Sequence, residues 1–390
     1  MRILFHSWNE VTRNDMVETL RRVGHEVYVL DYPVQNYLVD GALVAKAEDE
    51  IKKQKIECIV GADYLPILSK ISFRNQIPYL AWVYDAPCLA MYSDMIFSPY
   101  NYIFHFDRTE VERFRAAGVK QIYHMPLAVN VQKMQDMMEK NPHTFERDVA
   151  FLGTLYTGET NFLDQIQGLS EYQKAFLQAV MDVQLKFFGM DLLEEILPKD
   201  FMEGLLQKVS FQTEQELFLT EEQLMYQMIR KKMTVVERRE ILKLLSEHFD
   251  THLYTQSDTS ELPRIKPHSY INYDTQMPDM FYQSKVNINI TLRSIQSGIS
   301  LRCMDILGAG GFLLSNYQPE LAEYFEDGKE VVMYHSRADL VEKVQYYLKH
   351  DAERMQIAAN GQKKVFEQFS YEKAWEQMFQ RINENMHGGM

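Results

Sequence analysis

The chain has 390 residues, 46% of them hydrophobic and 25% charged, an ordinary globular composition at a length that suggests two domains. Lysine and arginine number 41 against 55 aspartate and glutamate, a net charge of −14, which argues against a nucleic-acid binder, since such a domain shows a basic face. A small anionic ligand is not excluded, because a few local donors suffice to hold one.

The first 130 residues alternate strand and helix signals. RILFHSW reads as a strand, VTRNDMVETLRRVG as an amphipathic helix closed by Gly24, and HEVYVLDY as a second strand. IKKQKIECIVGAD ends a helix and enters a third strand, IPYLAWVYDAP supplies a fourth, and NYIFHFD a fifth. The helix DRTEVERFRAAG then stops at Gly118, and KQIYHMPLA is a sixth strand. Short apolar runs separated by helices predict βαβ units and a parallel sheet covered on both faces. Ligands bind such sheets at the carboxyl ends of the strands.

A second α/β cycle starts at RDVAFLGTLYTGE, and its next clear strand, THLYT, comes roughly a hundred residues later. The sequence between, 160–247, is almost wholly helical in pattern. SYINYD, KVNINIT, GFLLS and EVVMY resume the strands, and the tail is helical. The expected architecture is α/β, with two Rossmann-like domains facing across a cleft. The first covers 1–130, the second 147–370 with the insert 160–247, and the helix at about 371–390 packs back on the first. The basic cluster Arg230, Lys231, Lys232, Arg238 and Arg239 reads as a solvated helix face, with peripheral membrane contact left open.

Cys58, Cys88 and Cys303 show no CxxC spacing, so neither a zinc site nor a disulfide framework is indicated and reduced cytosol is the simplest compartment. The N-terminal sequence enters a strand with no charged-then-apolar leader. No apolar run approaches the roughly 20 residues that span a bilayer. These features point to a cytoplasmic protein.

Chemistry concentrates in SGISLRCMDILGAGGFLLS, residues 297–315. On a helix starting near Ile299, Gly298, Arg302 and Asp305 fall on one stripe and Leu301, Met304 and Leu307 on the other. A helix start attracts phosphate, Arg302 adds a donor fork, and Asp305 can accept both hydroxyls of a ribose. The alternative is a surface Arg–Asp pair worth about 0.3 kcal/mol.

This segment resembles the "G-I-x-x-R-x-x-D/E-x-x-x-x-G-G-x-x-L" pattern of GT-B glycosyltransferases of the spore-maturation-protein type, whose C-terminal half is family-1-like. PELAEYFEDGKEVVMY and SYEKAWEQMF are similar to that family's continuation, and IPYLAWVYDAP with NYIFHFDRTEVERFRAAGVKQIYHMPLAVN resembles its N-terminal partner domain. The resemblance covers most of the chain outside the insert. It implies transfer of a sugar from a nucleoside-diphosphate sugar, UDP- rather than GDP-, to a hydroxyl on a glycan, a lipid-linked intermediate or a protein. Domain closure would exclude water. No cofactor and no metal is expected: the chain has no Asp-x-Asp, and helix dipole and side-chain donors would stabilise the leaving diphosphate.

By the same resemblance Asp305 is the ribose carboxylate. Gly153 and Tyr156 match an "F-x-G-x-x-Y" pattern near the nucleotide, and Tyr273 and Asp274 lie where the base is met. Ser297 stands where retaining relatives carry a glutamate. Those relatives also use a basic pair on the diphosphate; this chain shows no clear equivalent, which leaves the task to Arg302 and the helix start. Asp85, Glu10 and Asp15 are candidate bases for the acceptor hydroxyl, His105 a donor to sugar or phosphate, and Asp107 a helix cap. The alternative function is a non-catalytic GT-B relative that binds a nucleotide sugar or a partner protein.

Overall fold

The structure, a computed structural model, describes residues 1–158, 161–211 and 218–387. The chain divides into two compact units, Met1–Val131 with Val365–Met390, and Gln132–Gln212 with Leu219–Lys364.

In the first unit β1 (Arg2–Ser7), α1 (Arg13–Arg22), β2 (Glu26–Asp31), α2 (Gly41–Gln54), β3 (Cys58–Ala62), α3 (Pro66–Asn75), β4 (Tyr79–Val83), β5 (Asn101–His105), α4 (Arg108–Ala116) and β6 (Ile122–His124) follow in order. The strands form one sheet, β2-β1-β3-β4-β5-β6, parallel throughout. Every residue of β3, β4 and β5 is buried, which is why these strands read as unbroken apolar runs rather than alternating ones.

The second unit opens with α5 (Val131–Lys140) and β7 (Arg147–Leu152). The insert follows as α6 (Glu171–Gln184), α7 (Leu193–Ile196), α8 (Lys199–Leu206) and the start of α9 (Glu221–His248). After it come β8 (Thr251–Tyr254), β9 (Lys266–His268), α10 (Met277–Tyr282), β10 (Ser284–Asn289), α11 (Leu301–Gly308) and β11 (Leu313–Asn316). The series closes with α12 (Pro319–Tyr324), β12 (Val332–Tyr334), α13 (Arg337–Tyr347) and α14 (Asp351–Gln368), and α15 (Tyr371–His387) belongs to the first unit. The second unit's sheet, β12-β11-β10-β7-β8-β9, is again parallel.

The insert has a core of its own. Leu177, Met181, Leu193, Leu205, Met225 and Ile229 pack together, apart from the cluster under the sheet. Capping boxes Ser170/Gln173 and Thr220/Gln223 start α6 and α9, each satisfying two backbone donors that the first turn leaves open. The methionines and leucines of this cluster are therefore used in self-packing.

Two sequence expectations are corrected. SYINYD is not a strand: β9 ends at His268, and the Asn272 side chain accepts from the N–H groups of Asp274 and Thr275, an Asx turn that competes with sheet pairing. The basic cluster is not a solvated face either. Arg230 is buried against Asp191 and Glu194, Arg238 is buried too, and Lys232 and Arg239 pair with Asp164 and Glu261. Among the described residues no helix is long and apolar enough to cross a membrane.

The end of the chain completes the first unit. Trp375 of α15 is fully buried, donates its indole N–H to Thr19 Oγ1 at 2.9 Å and meets Trp82 of β4 edge-on, with ring centroids 5.1 Å apart. Trp375→Ala removes that packing and is expected to cost about 3–5 kcal/mol. Urea unfolding followed by Trp fluorescence, with a lowered midpoint for the variant, checks it.

Candidate functional site

The second sheet reverses its strand order between β7 and β10, the switch point at which open α/β sheets bind ligands. Two arginines converge there. Arg238, on α9, is 1% exposed and donates through Nη1 to Thr154 O at 2.5 Å and through Nη2 to Ile290 O at 2.9 Å. It thereby ties the turn after β7 to the end of β10. Arg302, the second residue of α11, donates through Nη1 to Asn289 Oδ1 at 3.0 Å. Both guanidinium groups lie against the Phe151 ring, at 5.4 Å and 4.9 Å from its centroid, and Arg238 also covers Tyr156 at 5.1 Å.

Neither arginine has a carboxylate in ion-pair range among the described residues, and Arg238 Nε has no hydrogen-bond partner. Burial, then the neighbouring Arg302 charge, pulls Arg238 down to about 9, and burial lowers Arg302 as well. Two like charges side by side, one of them buried, destabilise each other until an anion joins them.

Gly153 makes room for this pair. A Cβ there would stand 2.6 Å from Arg302 Nη2 and 3.3 Å from the Phe151 ring. Tyr156 follows in a left-handed conformation, φ 56°, which lays its ring under Arg238 and 5.5 Å from Lys231 Nζ.

Asp305 is 6% exposed and accepts from the Tyr273 hydroxyl at 3.0 Å. Lys133 Nζ sits 4.5 Å above the Tyr273 ring and 3.5 Å from Asp274, so Tyr273, Asp274 and Asp305 come together. The surface-pair reading is overturned, because Arg302 turns to Asn289 and Asp305 to Tyr273. The helix also starts later than expected, at Leu301 after Ser300. Gly298 is therefore off the helix, buried in the turn before it. Ser297 donates to Glu320 Oε1 at 2.7 Å, and Glu320 is fully buried at the start of α12.

The first sheet has its own switch point, between β1 and β3. A recess of about 350 Å³ opens there, lined by Trp8, Tyr37, Asp63, Tyr64, Asp85 and Leu89 among others. Asp63, in a left-handed conformation at φ 61°, accepts through Oδ1 from the N–H groups of Tyr84 and Asp85 at 2.8 Å and 3.0 Å. Burial, then the facing Asp85 charge, pushes Asp63 up to about 7. Asp85 opens into the recess, and the crowding around it raises its carboxyl too.

The remaining first-unit candidates are not in this recess. Glu10 is buried and accepts from Trp8 N–H at 2.9 Å and Ser7 Oγ at 3.3 Å, and burial raises its carboxyl. Asp15 is buried and accepts from Asn130 Nδ2 at 3.0 Å. His105 is shut inside the unit, its Nδ1 accepting from Asp107 N–H at 3.0 Å. Asp107 caps α4 through Thr109 N–H.

Sequence reasoning missed Arg238 and Asp63, and a signal existed for each. Ile241 and Leu245 follow Arg238 by three and seven residues, so the arginine sits on the apolar stripe of its helix. Asp63 ends IVGAD as Asp85 ends WVYD, a carboxylate just past a buried strand in both.

Two parallel six-stranded sheets with helices match the GT-B fold of glycosyltransferases. The family described as glycosyl transferase-like matches residues 230–380, which hold Arg238, Tyr273, Arg302 and Asp305. Among solved structures the chain is similar to a sucrose-phosphate synthase from Thermosynechococcus elongatus, at 10% identity and TM-score 0.53 over 100% of both chains. It is similar to Anabaena HepE in complex with UDP-glucose, at 10% identity and TM-score 0.53 over 98% of this chain and 100% of that one. Phage T4 β-glucosyltransferase matches at 9% identity and TM-score 0.54, over 98% of this chain and 99% of that one. These likenesses carry the fold. No curated protein sequence matches the chain.

The Asp63 carboxyl makes stability depend on pH. Its folded value, about 7, lies above the ordinary value of 3.8, so between these the folded state keeps a proton that the unfolded state releases. Its contribution is full below about pH 4 and is lost as pH rises through about 7. Asp63→Asn is expected to gain stability relative to wild type between about pH 5 and about pH 8, read from urea midpoints at both.

Proposed function

We propose that the protein transfers a sugar from a nucleoside-diphosphate sugar, with UDP as the nucleotide, to an acceptor hydroxyl. The observation that carries this reading is the pairing of buried Arg238 with half-buried Arg302 at the second sheet's switch point, with no carboxylate in ion-pair range of either among the described residues. A diphosphate supplies the missing charge and accepts from both guanidinium groups. Asp305, oriented by the Tyr273 hydroxyl, accepts the two ribose hydroxyls, and the Tyr273–Asp274 turn meets the base. The Anabaena neighbour, solved with UDP-glucose, supports a UDP-sugar.

In the transfer Asp85 takes the proton of the acceptor hydroxyl, and that oxygen bonds to the anomeric carbon. The bond from that carbon to the diphosphate oxygen breaks, and the electron pair leaves with UDP. The arginine pair stabilises the charge that develops on the leaving group. No metal is invoked, because in this reading Arg238 and Arg302 supply the positive charge that meets the leaving group.

A second reading, a nucleotide-sugar binder without turnover, rests on Ser297, which gives its hydroxyl to Glu320. Release of UDP from the donor in the absence of acceptor separates the two, and Asp305→Ala is expected to abolish it. In a thermal-shift panel of UDP- and GDP-sugars, a UDP-sugar is expected to raise the melting temperature. If no nucleotide sugar does, both readings fall.

Arg302→Ala deletes a charged hydrogen-bond donor worth about 1.5–3 kcal/mol and is expected to weaken UDP binding roughly 10- to 100-fold by titration calorimetry. Gly153→Ala, which displaces the same guanidinium, is expected to weaken UDP binding in the same direction while the circular dichroism spectrum stays that of wild type.

A further inference from the structure

We infer that the recess at the first sheet's switch point is a saccharide pocket, in which Asp63 and Asp85 hold hydroxyls of a neutral sugar ring that packs against Trp8 and Tyr37. The inference deepens the glycosyl-transfer reading, and rests on it for the sugar's role as acceptor.

Four observations carry it. The first is size: about 350 Å³ falls at the low end of the roughly 300–1,000 Å³ typical of small-molecule pockets, which suits a sugar ring or two.

The second is the aromatic rim. Trp8 is 39% exposed and Tyr37 59%, and both line the recess with Leu89. The Trp8 indole N–H is held by Ala62 O at 3.3 Å, so its ring is fixed rather than loose. Large apolar side chains kept at a recess mark a binding surface, and a flat ring face suits the C–H face of a pyranose.

The third is Asp63, which is 9% exposed. Its Oδ1 is occupied by two backbone N–H groups, whereas Oδ2 has no partner among the described residues and belongs to a side chain lining the recess. Facing the recess with no such partner, Oδ2 is free to exchange its water for a ligand hydroxyl.

The fourth is charge. Asp63 and Asp85 both line the recess and Glu10 lies close enough to Asp63 to raise its carboxyl further, so a phosphate or a uronic acid is repelled. Asp63 holds its proton to about 7, which also weakens the recess as a trap for an ammonium group. Hydroxyls remain as the matching chemistry. Asp85 has already been placed as the base in transfer; Asp63 is the added group, holding the Asp85 backbone through its N–H and a second hydroxyl through Oδ2.

Saturation-transfer NMR on the full-length protein tests this with methyl glucoside, galactoside and mannoside against glucuronate, glucose 1-phosphate and glucosamine. At least one neutral hexoside is expected to receive saturation on its ring protons, at least about 10-fold more weakly in Asp63→Asn and in the rim variant Trp8→Ala/Tyr37→Ala. The rim variant replaces exposed side chains, so its melting temperature should stay near that of wild type. The inference is overturned if no neutral hexoside binds, if the charged sugars bind as well as the neutral ones, or if the rim variant binds a hexoside as wild type does. UDP-sugar thermal shifts on the same samples keep the two readings apart. Hexoside binding without a donor shift removes the glycosyl-transfer reading alone, and a donor shift without hexoside binding removes this one alone.

Discussion

The second unit is organised around one buried cation. Arg238 reaches from α9 to two backbone carbonyls, Thr154 after β7 and Ile290 after β10, and so closes the gap where the strand order reverses. A guanidinium is tolerated that deep only with its donors satisfied, and two of its N–H groups are. Its charge is not neutralised, and Arg302 beside it makes that worse. Gly153 without a Cβ, the Phe151 ring beneath both cations and Asn289 steering Arg302 all maintain this unresolved charge.

The insert belongs to the same arrangement. α9 has 28 residues and serves two cores in succession: Met225, Ile229 and Met233 in the insert cluster, then Ile241, Leu242 and Leu245 under the sheet. Arg238 lies where the helix passes from one to the other. The helical segment is therefore continuous with the element that delivers the arginine. The first unit follows the same logic with opposite chemistry. Its recess gathers carboxylates, because Asp63 and Asp85 stand just past the carboxyl ends of the adjacent strands β3 and β4.

How far the sequence reveals this differs by element. The βαβ alternation was legible because buried parallel strands appear as short apolar runs; within the expected insert 160–247, whose residues 160 and 212–217 lie outside the described ones, α6 to α9 follow the helical period. The strand expected at SYINYD was wrong for a local reason: Asn272 folds its amide onto the backbone, and propensity over six residues does not weigh that. At the candidate site, Gly153, Tyr156, Tyr273 and Asp305 were reached through the family resemblance, and the structure sets the first two beside the arginine pair and Tyr273 against Asp305. Arg238 was hidden because arginine within a basic run signals solvent, and only its place on the apolar stripe says otherwise. His105, the last residue of β5, and Asp15, in the first turn of α1, are closed in by neighbours that separations in sequence do not reveal.

The first unit is assembled from both ends of the chain. Trp375 packs on Trp82 and bonds to Thr19, so the earliest strands lack part of their core until residue 375 has left the ribosome. The second unit, whose chain lies almost wholly between, has its strands and helices in hand before that point. Order of synthesis thus runs against order of completion, and the strands of the first unit wait, with part of their apolar surface uncovered, for α15 to arrive.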